Sequence, residues 1–121
     1  MKIAVSSKDK NLNAEVDQRF GRCRYFLIVD SENMEFNTIS NESSTSFGGA
    51  GVKAAETVVN NGAEVLITGN IGPNAHRTLA AGNVKIYTGA TGTVKDAIQS
   101  YKNGKLNETD NPNVGSHHGM R

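Results

Sequence analysis

The stretch Glu64–His76 (EVLITGNIGPNAH) most constrains what this chain can fold into. Its apolar run, Val65-Leu66-Ile67, is too short for a helix and branched enough for a buried strand. Gly69 and Gly72 punctuate a turn, and Pro73 suits the first turn of a helix, where its missing N–H costs nothing. The following Asn74–Ala81 carries helix-forming Ala75, Leu79, Ala80 and Ala81. The unit reads strand, glycine turn, helix. The same grammar recurs on both sides. Gly48-Gly49-Ala50-Gly51 opens a helix upstream, and Gly89-Ala90-Thr91-Gly92 opens one downstream. Three glycine-rich helix N-termini in one small domain point to binding more than to catalysis.

Lys2–Ser7 reads as a first strand, Lys8–Asp17 as a polar loop, and Val16–Cys23 (VDQRFGRC) as a charged turn around Phe20-Gly21. Tyr25–Asp30 (YFLIVD) is a uniformly apolar strand near the sheet centre. Met34–Asn41 alternates and forms its hairpin partner nearer an edge. Apolar residues at 52, 55, 58 and 59 mark one helical face, which Asn60-Asn61-Gly62 ends. After the strand Glu64–Thr68 and the helix Pro73–Ala81, closed by Gly82, come a strand at Val84–Tyr87 and a helix at Thr93–Lys102. Thr93 and Asp96 fit a variant capping box. The order β-β-β-α-β-α-β-α predicts an α/β fold: a five-stranded mixed sheet with three helices on its faces. Right-handed crossovers place the first, fourth and fifth strands side by side and parallel.

The 121 residues fit one domain. A formal net charge of +1, without Lys or Arg clusters, argues against a nucleic-acid or membrane surface. Cys23 is the only cysteine, so no intramolecular disulfide forms, and a reducing, cytoplasmic setting is expected. The strand-like start has no apolar signal core, and no stretch approaches the ~18 apolar residues of a membrane span. Low apolar content after Leu106 predicts a folded domain over 1–106 and a flexible, His-containing tail over 107–121.

Parallel strands bring their carboxyl ends to one edge, where open α/β sheets bind ligands. Helix N-termini there present unpaired N–H groups and partial positive charge, which favour anions. The alternative is that glycine merely permits tight turns. Gly49-x-Gly51-x-x-Ala54 is a loose dinucleotide fingerprint. It lies after the polar linker ESSTSF rather than directly after a strand, and the next strand ends in Thr68 instead of an acid. No phosphate-loop motif occurs. In VDQRFGRC, Arg19 and Arg22 would lower the pKa of a nearby Cys23 thiol and make it a better soft-metal ligand. Alternatively Asp17 pairs with Arg19, Phe20 plugs the core and Cys23 is a small buried hydrophobe. His76, early in its helix, is a candidate imidazole ligand or a solvent-facing residue, and His117-His118 form a metal-catching end. No HExxH, GxSxG or Cys–His spacing supports catalysis, so no catalytic residue is assigned.

VDQRFGRCRYFLIVD, GGAGVKAAETVVNNGAEVLITGNIGPNA and VKIYTGATGTVKDAIQSYKNGKL, in that order, resemble the dinitrogenase iron–molybdenum cofactor-biosynthesis family over Met1–Leu106. The resemblance implies a ribonuclease-H-like fold without that enzyme's metal-binding carboxylates. It also implies a non-enzymatic, nitrogen-fixation accessory-like protein that binds or carries an anionic metal–sulfur cluster. That cluster would be an iron–molybdenum cofactor precursor or of iron–sulfur or thiomolybdate type. The cradle would be Gly48, Gly49, Gly51, Gly69, Asn70, Gly72, Asn74, Gly89, Gly92 and Thr93, with Arg19 and Arg22 balancing charge. Cys23, His76, His117 and His118 would be metal contacts; the family pattern is commonly apolar at His76, so that residue carries no family role. One cysteine cannot hold an iron–sulfur cluster alone, because such clusters take four thiolates. The alternative function is an interaction module acting on a cluster-assembly partner such as an ATPase. Expected partners are the cluster and assembly proteins, with the chain a monomer or weak homo-oligomer.

Overall fold

The computed structural model describes residues 1–42 and 49–113. Five strands, β1 (Lys2–Ser7), β2 (Tyr25–Asp30), β3 (Phe36–Ser40), β4 (Val65–Ile67) and β5 (Lys85–Tyr87), form one sheet in the order β3-β2-β1-β4-β5. The helices are α1 (Ala50–Asn60), α2 (Pro73–Ala81) and α3 (Val94–Lys102). β1 pairs antiparallel with β2 and parallel with β4, and β4 pairs parallel with β5. The expected mixed sheet, its three helices and the parallel trio are all present.

The pleat explains the strand sequences. Ile3, Val5, Leu27, Val29, Val65 and Ile67 face α3, where they meet Val94, Ala97 and Ile98. Ala4, Phe26, Ile28, Leu66 and Ile86 face the other way, toward Ala54, Ala55 and Val58 of α1 and Ala75 and Leu79 of α2. Covered on both sides, β2 and β4 need apolar residues at every position, and for that reason they read as continuous runs rather than alternations. At ~25 cal/mol per Å² of apolar surface, fully burying each such Ile, Leu or Val stabilises by roughly 1.5–3 kcal/mol before entropy is counted.

Several boundaries differ from expectation: β4 spans Val65–Ile67 where Glu64–Thr68 is expected, β5 starts at Lys85 instead of Val84, and two larger differences have a plain physical reason. β3 begins at Phe36, not Met34. Met34 adopts φ 62° and its N–H donates to the Asp30 carbonyl at 2.8 Å, so it closes the hairpin turn instead of extending the strand. Residues 107–113, expected to trail as a tail, are docked instead. Thr109 N–H donates to the Ile86 carbonyl at 2.6 Å and Asn113 N–H to the Ile71 carbonyl at 3.1 Å. Backbone and polar side-chain hydrogen bonds hold this segment, and apolar patterning does not report those. The rest of the expected tail, 114–121, lies outside the described residues.

Topology gathers the loops. β1, β3, β4 and β5 run in one direction and β2 in the other, with Ser7 beside Tyr25, Tyr25 beside Ser40, and Ile67 beside Tyr87. The segments 16–24, 41–42 with 49–50, 68–72 and 88–93 therefore all emerge at one sheet edge.

Candidate functional site at the carboxyl edge of the sheet

The organiser of this edge is the segment Val16–Cys23. Ser6 Oγ donates to the Asp17 carbonyl at 2.7 Å and shares a 2.7 Å hydrogen bond with Thr68 Oγ1, which pins the segment over the ends of β1 and β4. It then zips onto the β4–α2 turn. Asn70 N–H donates to the Gln18 carbonyl at 2.8 Å, and Phe20 N–H donates to the Asn70 carbonyl at 3.3 Å. On its other side it holds the β5–α3 turn: Gln18 Nε2 donates to the Ala90 carbonyl at 2.9 Å, and Val16 N–H to the Gly92 carbonyl at 2.9 Å. The two turns also join directly, Gly89 N–H to Gly69 carbonyl at 2.9 Å.

α1 enters from the opposite side. A Cβ placed on Gly21 would lie 3.1 Å from Gly51 Cα, and one on Gly51 would lie 3.4 Å from Ala75 Cβ. The first turn of α1 thus packs against the first turn of α2, with Gly21 against α1. Gly49 caps α1 in the left-handed conformation (φ 67°) and Gly72 caps α2, so neither cap residue has a side chain to bond the first-turn N–H groups. Two helix N-termini with like partial charge therefore meet at Gly51 and Ala75, a combination that favours a nearby anion.

The third N-terminus is built differently. Thr93 Oγ1 accepts the Asp96 N–H at 3.0 Å, and Asp96 Oδ2 accepts the Thr93 N–H at 3.1 Å, completing the expected capping box. Its other first-turn donors are used as well, Val94 N–H on the Ala14 carbonyl and Lys95 N–H on the Leu12 carbonyl, both at 2.9 Å, and a carboxylate stands over the turn. Gly89, Gly92 and Thr93 belong to the same edge, yet their helix end disfavours a further negative charge.

The predicted soft-metal contact, Cys23, lies in the core with no exposed surface, among Phe20, Phe26 and Ala54. Burial pushes its thiol far above the ordinary value of 9.0. The Asp17 carboxylate acts in the same direction, and a contact from Asn41 partly opposes both. The expectation of an arginine-activated thiolate is corrected: desolvation dominates, and Cys23 is the small buried hydrophobe. Arg19 carries a half-exposed side chain whose Nε stands 4.0 Å from Asp17 Oδ1, the pairing weighed above, and Asp17 Oδ1 also accepts the Arg19 N–H at 3.0 Å. Arg22 is half-buried on the same loop.

His76 stands in the first half of α2 beside the docked C-terminal segment. Its Nε2–H donates to the Thr109 carbonyl at 3.1 Å, which uses that nitrogen on the docked C-terminal segment. Among the described residues no group of three or more His, Cys, Asp or Glu could hold a metal ion. Gly48, His117 and His118 lie outside the described residues. Gln18, Gly21 and Asn113 shape the edge without having been singled out. Gly21, a glycine amid charged and aromatic residues, carried a readable hint of close approach; Gln18 and Asn113 carried none.

No helix among the described residues is long and apolar enough to cross a membrane. An uncharacterized protein of Methanocaldococcus jannaschii is 31% identical over 109 residues, 88% of this chain and 89% of that protein. The apo form of the orange protein of Desulfovibrio gigas shares 36% identity and superposes with a TM-score of 0.91, covering 93% of this chain and 96% of that one. The NMR structure of a Thermotoga protein provisionally described as a NifB protein is likewise 36% identical, with a TM-score of 0.79 over 93% of this chain and 98% of that one. The model of the dinitrogenase iron-molybdenum cofactor family matches residues 1–104, and the chain belongs to that family.

Proposed function

We propose that this protein is a non-enzymatic carrier that holds an anionic metal–sulfur cluster against the paired N-termini of α1 and α2. One observation carries the reading: two helix N-termini whose cap residues are glycines meet at Gly51 and Ala75, while the third, α3, is closed by its own Thr93–Asp96 box. Membership of a family named for the dinitrogenase iron-molybdenum cofactor supports a metal cluster as the anion.

The residues fit a cluster that arrives with its own sulfides. Cys23 is buried and His76 Nε2 is engaged, so the described residues offer backbone N–H groups rather than a thiolate set. Gly49, Gly51, Gly72 and Asn74 frame the cradle, with Gly69 and Asn70 beside it, and Arg19 adds positive charge at the rim. Such recognition is electrostatic and non-covalent, which suits a cargo that must be released.

The test is anaerobic titration with tetrathiomolybdate, followed by its charge-transfer absorbance. Asn74 is exposed in the first turn of α2, so Asn74→Asp places a carboxylate where the anion would sit and favours the helix. The variant should be at least as stable as the unmodified protein and bind the probe at least tenfold more weakly. Equal binding by Asn74→Asp removes the cradle. No uptake by either protein, with capture of a cluster-assembly protein through this edge, would establish the interaction-module alternative.

A further inference from the structure

The segment 107–113 crosses the edge just described. Tyr87 and Glu108 form an isolated antiparallel bridge at β5, and Thr109 Oγ1 bonds both Thr88 Oγ1 at 2.6 Å and the Thr88 N–H at 3.2 Å. From the α2 side, His76 grips the Thr109 carbonyl. Asn113 then lands on the β4–α2 turn. Its Oδ1 accepts the Ile71 N–H at 2.8 Å, its own N–H donates to the Ile71 carbonyl at 3.1 Å, and its Nδ2 donates to Asn70 Oδ1 at 3.2 Å.

This places a neutral side-chain acceptor on the Ile71 N–H, one residue before Gly72, the cap residue of α2. An anionic oxygen or sulfide would use the same donor. Asn113 is exposed, and its hydrogen bonds are neutral ones at the solvent boundary. Charge-assisted bonds to an anion are about twice as strong as neutral ones, so an anion wins the exchange. Thr109 lies farther back, tied to β5 and α2 at several points. The segment thus has a firm anchor and a weak end.

We infer that residues 107–113 are a strap in which Asn113 occupies the β4–α2 turn as a stand-in ligand until the anionic cargo displaces it, while Thr109 stays anchored. The inference rests on the cradle reading above. It adds a regulation of that site: the strap keeps the turn satisfied when empty and lowers affinity for weak, adventitious anions.

The experiment uses the full chain and tetrathiomolybdate under anaerobic conditions. Asn113→Ala should bind the probe about three- to tenfold more tightly, the range expected from losing one competing neutral hydrogen bond. In the unmodified protein, saturation should speed amide exchange at Asn113 and leave Thr109 unchanged. Unchanged or weaker binding by Asn113→Ala, or an Asn113 amide that stays protected in the loaded protein, overturns the strap while the cradle stands. If neither protein binds the probe, the cradle fails and the strap falls with it.

Discussion

Gln18 and Gly69 occupy space that one methyl group would fill: a Cβ on Gly69 would stand 2.7 Å from Gln18 Cα and clash with the Gln18 side-chain amide. The backbone of one loop and the turn of another therefore approach as closely as two chains can. Because Gln18 also bridges to Ala90, this contact sets the spacing of both parallel-strand turns.

Gly69→Ala should accordingly destabilise the protein by about 1–3 kcal/mol, the usual cost of overpacking a site that cannot expand. Chemical denaturation checks the value. Loss of the Gln18–Ala90 hydrogen bond should appear as faster exchange of the Gln18 side-chain amide.

Cys23 should behave as a buried thiol. In the native protein at pH 8 it should resist iodoacetamide, and it should react once the chain is unfolded. Its pKa is raised in the folded state, so its contribution to stability is complete below pH about 9 and declines above it, where the unfolded thiol ionises and the folded one does not. The difference in stability between the unmodified protein and Cys23→Ala, measured from pH 7 to 10.5, should shrink above pH about 9. Cys23→Ala should also retain tetrathiomolybdate binding, and a large loss there would restore the thiolate as a ligand.

Thr93→Ala removes half of the α3 capping box and should cost about 1 kcal/mol by thermal or chemical unfolding. Probe affinity should stay within twofold, because this helix end is outside the proposed cradle. A tenfold change would bring the third turn back into the site.

Arg19→Ala should weaken uptake of the anionic probe, with a larger effect at 20 mM than at 500 mM salt, since the exposed guanidinium acts through a screened field. A loss independent of salt would mean that Arg19 shapes the loop through Asp17 instead of attracting the ligand.

The sheet, the helices and the placement of the glycine turns are legible in the amino-acid order. Val65–Ile67, Tyr25–Asp30 and the helical spacing from Val52 report local periodicity and two-sided burial, which are written into adjacent residues. The Thr93–Asp96 box was legible for the same reason, its partners being three residues apart. The rest depends on contacts between residues distant in the chain. The fate of Cys23 turned on whether Phe20, Phe26 and Ala54 close over it before Arg19 or Arg22 can reach it, and desolvation outweighed any charge nearby. The pairing of two glycine-capped helix ends at Gly51 and Ala75, the close approach of Gly21 to Gly51 and the docking of Asn113 on Ile71 arise from topology and largely from backbone groups. Every residue carries those backbone donors and acceptors alike, so side-chain patterning could not single these contacts out.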